Sequence, residues 1–226
     1  MARRIKKFNG QHETQPIKDS RQIHELLFYL LGQVDRAKTP VKKYQADRNY
    51  TMILTGMNTA FRAEDLLQLR VIDVLNGYIS IKENKTGKFQ NFRMNKSFHE
   101  ELIRYIERWE LTKHDYLFRG QKTIVDGKKY IYPINRQQGH RIVSEAGKAI
   151  GINFVFGLHS LRKTFGYQFY SNGGNLLTLM KMFNHDDPNV TTRYICWGKE
   201  DIEKSREATY IGLPPKKRAT SQAAVI

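Results

Sequence analysis

The stretch that decides the reading runs from Gly157 to Trp197. It opens G-L-H-S-L-R-K-T-F-G-Y (157–167) and returns as F-N-H-D-D-P-N-V-T-T-R-Y-I (183–195). Leu158, Leu161, Phe165 and Phe169 recur at three- and four-residue steps, which predicts a helix with one buried stripe. His159, Arg162 and Gly166 keep the same period on a different face. Side chains three apart on a helix are neighbours, so this imidazole and guanidinium can reach one small anion. His185 comes next, then Tyr194 nine residues later. A tyrosine offers an oxygen nucleophile that needs no cofactor. Together these groups suit attack on a phosphodiester.

The order His159-x-x-Arg162, His185, Tyr194 resembles the catalytic core of the tyrosine recombinases, the family of phage integrases and bacterial chromosome-dimer resolvases. One departure is Phe183-Asn184-His185, where the family usually has L-G-H; losing that glycine is expected to change the local turn. Upstream, G-M-N-T-A-F-R-A-E-D-L-L-Q-L-R-V-I-D-V (56–74) resembles the family's first motif, T-G-x-R-x-x-E-L-x-x-L-x-x-x-D. Arg62 matches the motif arginine and Asp65 stands for the glutamate, while Leu66, Leu69 and Asp73 keep the spacing. Counted from Gly56-Met57, the segment Asn58–Phe61 makes the turn before Arg62 longer than usual.

Tyr78–Ile81 alternates, Asn84–Lys88 has turn composition, and Phe89–Met94 returns, so a β-hairpin is predicted. The family places a catalytic lysine on this hairpin, often in K-T-G; Lys85 fits best and Lys88 is the rival. Tyr116-Leu117-Phe118 resembles a short family segment, and a second hairpin is expected around Asp126-Gly127. Lys122, Lys128 and Lys129 on that hairpin are further candidates for phosphate contact.

The resemblance implies an α+β, mainly α fold: a recombinase-like catalytic core of helices with a small antiparallel β-sheet. It implies DNA strand breakage and rejoining through a 3′-phosphotyrosine. Tyr194 would be the nucleophile, with Arg62, Lys85, His159, Arg162 and His185 completing the catalytic set. Two arginines would stabilise charge that other enzymes give to metals, so neither a metal nor a cofactor is expected. A nicking-closing enzyme of the type IB topoisomerase kind, or a DNA-binding module without chemistry, is the alternative.

Composition agrees with a polyanionic partner. The 226 residues carry 38 Lys+Arg against 22 Asp+Glu, a net charge of +16, which favours nucleic acid. Double-stranded DNA is the expected partner, with a homo-oligomer assembling on it. Arg3, Arg4, Lys88 and Lys163 are candidate DNA contacts. Cys196 is the sole cysteine, which excludes an intramolecular disulfide and a Cys-rich zinc site. No membrane-length apolar run appears, and a cytoplasmic, nucleoid-associated setting is expected.

Three segments are expected: residues 1–40, a basic arm and one helix; 41–198, the catalytic domain; and 199–226, a helix and tail. The first is too short to form a helical clamp domain with its own core, so that domain is either absent or lies outside this sequence. Predicted helices start at Asp19 or Ser20, at Val41 or Lys42, after a Ser97–Glu100 capping box, after Asn135, at His159, at Leu176 and at Pro188, the last running to Trp197. The helix after Asn135 should bury Ile142, Val143, Ala146 and Ala149, and a final one could reach Tyr210.

Overall fold

The computed structural model describes residues 13–125 and 128–212, of which 121–125, 128 and 129 are described in backbone only. Arg3, Arg4, the Asp126-Gly127 turn and Lys216–Arg218 lie outside the described residues, as do the side chains of Lys122, Lys128 and Lys129. Packing divides the chain into two units, one through Cys196 and one from Trp197 onward.

The first unit begins with helix α1 (Ser20–Arg36), capped by the Asp19 carboxylate, and helix α2 (Pro40–Thr59), capped by the Thr39 hydroxyl with Pro40 in its first turn. An oxygen side chain at the cap followed by proline is what a helix start requires. Leu26 and Leu30 of α1 join Met52, Ile53 and Met57 of α2 in one core, so apolar packing runs straight across residue 40. Short helix α3 (Ala63–Leu67) follows, then the hairpin β1 (Tyr78–Lys82) and β2 (Phe89–Arg93). Its register pairs Tyr78 with Arg93 and Lys82 with Phe89, leaving Glu83–Lys88 as the connecting loop.

Helix α4 (Lys96–Arg108) is capped by Asn95, whose side chain accepts from the Ser97 and Phe98 amides. The cap therefore falls earlier than the Ser97–Glu100 box predicted, because Asn95 meets the same orphan amides first. Strands β3 (Arg119–Val125) and β4 (Lys128–Pro133) form a second antiparallel pair, separate from the first. Helix α5 (Arg136–Ala149) starts at the Asn135 cap and buries Val143 and Ala146, whereas Ala149 is exposed.

Three helices finish the unit: α6 (Leu158–Ser171), α7 (Leu176–Phe183) and α8 (Pro188–Tyr194). Helix α6 is central and is buried on more than one face. Leu158, Leu161, Arg162, Thr164, Gly166 and Tyr167 are all buried, while Phe165 and Phe169 are only half-buried and stack on each other at its rim. Gly166 is required there: a Cβ would lie 2.5 Å from the Phe183 ring and 2.8 Å from Ile195. Helix α8 stops at Tyr194 and not at Trp197, because Cys196 takes a left-handed φ of 56°. The second unit carries helix α9 (Lys199–Glu207), whose Asp201 carboxylate accepts from the Gly198 amide.

The turn before Arg62 is not the long one expected from Gly56-Met57. Gly56 lies inside α2, where a Cβ would come within 2.7 Å of Leu161 on α6, so it serves helix packing. The turn is made instead by Ala60, left-handed at φ 57°, in Thr59-Ala60-Phe61-Arg62. Ala60 thus occupies the place of the motif glycine and the spacing is ordinary.

Candidate active site

A cleft of about 680 Å³ is lined by Arg62, Asp65, Lys85, Thr86, Arg136, His159, Arg162, Asn184, His185 and Tyr194, with Ala63 and Glu64. The six residues singled out as catalytic all reach it, although 132 positions separate Arg62 from Tyr194. Arg62 comes from the α2–α3 turn, Lys85 from the β1–β2 loop, and His159 and Arg162 from successive turns of α6. His185 and Tyr194 come from the α7–α8 turn and the end of α8.

The two arginines converge on one acceptor. Arg162 Nη2 donates to the Phe183 carbonyl at 3.0 Å, and Arg62 Nη2 reaches the same oxygen at 3.5 Å. Arg162 is only 3% exposed. Burial pulls its pKa down, yet a guanidinium stays protonated in a protein. Its Cζ also lies 4.7 Å from the Phe183 ring centroid.

His185 Nδ1 lies 3.1 Å from Thr191 Oγ1, so Nε2 is the nitrogen available to a ligand. The Tyr194 ring stands edge-on to His185, with centroids 5.4 Å apart at 84°. Both cleft imidazoles have lowered pKa values. For His185 the causes are burial, then Arg162; for His159 they are burial, then Arg136 and Arg162. Tyr194 is shifted upward, because burial outweighs the attraction of Arg162 and Arg62. The surrounding positive charge therefore does not tip Tyr194 toward a phenolate in the absence of substrate.

Asp65 is 4% exposed and supports the hairpin: its Oδ1 accepts from the Asn84 amide at 2.9 Å. Its Oδ2 is buried with no hydrogen-bond partner among the described residues, and burial raises the pKa of the carboxyl.

With this geometry in view, the comparisons with known proteins are decisive. The sequence profile of the phage integrase family matches residues 32–199. The chain belongs to the phage integrase family. It is 34% identical to the probable integrase/recombinase YoeC of Bacillus subtilis (strain 168), over 81% of this chain and 90% of that protein. The fold is that of the XerA recombinase (TM-score 0.64, 18% identity, 88% of this chain and 66% of that one). It is also that of the XerH site-specific recombinase bound to palindromic difH (TM-score 0.60, 23% identity, 86% and 53%). Tyrosine-type site-specific recombination is the activity class of this integrase-family chain.

Four residues were not singled out from the sequence: Arg136, Thr86 and Asn184, which line the integrase cleft, and Glu83, which bonds two of them. Arg136 adds a cation and pairs loosely with Glu64 at 3.7 Å. Thr86 and Asn184 line the cleft and both donate to Glu83, a 2%-exposed carboxylate at the end of β1. In sequence Glu83 reads as one more charge beside a turn; only its partners reveal its burial.

Lys163 moves the other way. It is 4% exposed, its ammonium donates to the Thr14 carbonyl at 2.8 Å and it lies 5.0 Å from the Tyr194 ring centroid. The ammonium is thus held beside the Tyr194 ring and away from solvent. Lys88 and Lys85 are both exposed, and of the two only Lys85 lines the cleft.

Proposed function

We propose that this cleft cleaves and rejoins double-stranded DNA, with Tyr194 as nucleophile. The observation that carries the reading is the meeting of Arg62, Lys85, the His159–Arg162 pair, His185 and Tyr194 in one cleft. The Tyr194 oxygen attacks the scissile phosphorus, the bond from phosphorus to the 5′ oxygen breaks, and a 3′-phosphotyrosine forms. Charge gathers on the non-bridging oxygens, where the Arg62 and Arg162 guanidinium forks donate. An imidazole held neutral near pH 7 can accept a proton, and His159 takes that of Tyr194, while Lys85 protonates the leaving 5′ oxygen. No cofactor enters these steps. Reversal by a 5′ hydroxyl from another strand rejoins the DNA, and the phosphotyrosine conserves the bond energy.

The net charge of +16 supports DNA as the partner, as does the likeness in fold to XerH, which is described bound to its difH substrate. Strand exchange joins two sites, so several copies of the chain assemble on DNA, in a cytoplasmic, nucleoid-associated setting. Incubation with a pool of short nicked duplexes of random sequence tests the reading. The released fragment should carry a free 5′ hydroxyl that a kinase can label, with protein fixed to the 3′ end. Protein on the 5′ end, or no denaturation-resistant adduct, would refute it.

A further inference from the structure

Glu83 gathers four donors on one buried carboxylate. Arg62 Nη1 pairs with Oε2 at 2.7 Å, Asn184 Nδ2 donates to the same oxygen at 2.9 Å, and Thr86 Oγ1 donates there too. Gln90 Nε2 donates to Oε1 at 3.2 Å. These donors come from four places: the α2–α3 turn, the α7–α8 turn, the β1–β2 loop and strand β2. The backbone of Glu83 also closes the loop, donating to the Lys88 carbonyl and accepting from the Gly87 amide, both at 2.9 Å. Burial pulls the Glu83 pKa up, but hydrogen bonds from Thr86 and Arg62 outweigh it and hold the carboxylate below its ordinary value.

A buried carboxylate is stable only if its oxygens are paired, so this arrangement has one good geometry. Lys85 lies two residues beyond Glu83 in the loop, and His185 directly follows Asn184. We propose that Glu83 is a positioning residue for strand cleavage: it orients Arg62 and ties the lysine loop and the histidine turn to it. The lysine, the first arginine and the second histidine then meet the phosphate as one preformed set. Asn184 completes the device. It keeps the left-handed backbone at φ 53° that a glycine would supply, and it adds the amide that glycine lacks.

This role rests on the cleavage reaction proposed above, and the test separates the two. The adduct-forming rate at saturating protein and the DNA affinity are measured on the nicked-duplex pool for wild type, Glu83→Gln, Arg62→Lys and the double variant. Thermal unfolding is followed alongside. Glu83→Gln should slow adduct formation about ten- to a hundredfold, as small misplacements of reacting groups do, with affinity within about threefold. Because Glu83 acts through Arg62, the Glu83→Gln loss should shrink in the Arg62→Lys background. A wild-type rate in Glu83→Gln, or an undiminished loss in that background, overturns the role while leaving the reaction standing. A wild type that forms no adduct removes both. If Glu83→Gln does not fold, Asn184→Gly and Thr86→Val each withdraw one donor: slower cleavage at unchanged affinity supports the role, and unchanged cleavage overturns it.

Discussion

Two turns deliver Arg62 and His185 to the cleft, and both depend on a left-handed residue where the family motifs carry glycine. Ala60, at φ 57°, precedes the turn that presents Arg62; Asn184, at φ 53°, precedes His185. The backbone task is the same and the chemistry is not. Alanine in this region bears a steric penalty, and its side chain has no hydrogen bond to offset it, only the burial of its methyl. Asparagine tolerates the region, and here its amide also donates to Glu83. One turn holds strain that the surrounding packing over-rides; the other is a built part of the site. The two are joined at the Phe183 carbonyl, which accepts from both Arg62 and Arg162.

The largest effect should come from breaking that joint. Arg162→Lys keeps the charge and loses the fork. Adduct formation should fall by about 10²–10³, as for loss of a transition-state donor. Because the fork also holds Phe183, stability should fall by about 1 kcal/mol, read by thermal unfolding. A variant that cleaves at the wild-type rate would show that the guanidinium is structural only.

The next effect sharpens the contrast directly, since the same replacement should act with opposite sign at the two turns. Asn184→Gly keeps the backbone but withdraws a donor from a buried carboxylate, so stability should fall by about 1–3 kcal/mol. Ala60→Gly relieves left-handed strain of about 1–2 kcal/mol against an entropic cost of about 0.5–1 kcal/mol. Stability should rise by up to about 1.5 kcal/mol. Denaturant midpoints for the pair decide it, and a rise at both positions would make the Asn184 amide idle.

That pair also marks where the sequence was legible and where it was not. Helix starts could be read where the cap is a local signal: Asp19 and Asn135 each cap the helix that follows them, whereas α2 begins at Pro40 under a Thr39 cap, just before the start expected at Val41 or Lys42. The six candidate residues could be picked out because their types and order are unusual together, and the fold brings them to one cleft. Glu83, Lys163 and Ala60 could not. A glutamate beside a turn and a lysine on a helix look solvated until distant segments bury them, and an alanine gives no local sign of a positive φ. Gly56 misled for the converse reason: glycine marks a turn or a close helix crossing, and only the nearness of Leu161 distinguishes them.

A smaller effect concerns pH. His159 and His185 have lowered pKa values in the folded chain, so the unfolded chain takes up protons first as pH falls past about 6.5. Above that value they contribute no pH dependence; below it stability should decline until the folded imidazoles also protonate. Melting temperature measured from pH 8 to pH 5 should show the decline, and His185→Gln should flatten it. A slope indifferent to that change would place the titration elsewhere.

The central claim is that Tyr194 bonds to phosphorus, and peptide mapping of the trapped adduct tests it most directly. Trypsin cutting after Arg193 and Lys199 isolates Tyr194 as the only tyrosine of its peptide, while Tyr210 falls in another. The nucleotide mass should appear on the peptide from Tyr194 to Lys199, and Tyr194→Phe should form no adduct while binding DNA within a few-fold of wild type. A nucleotide on the Tyr210 peptide, or an adduct that persists in Tyr194→Phe, would contradict the assignment.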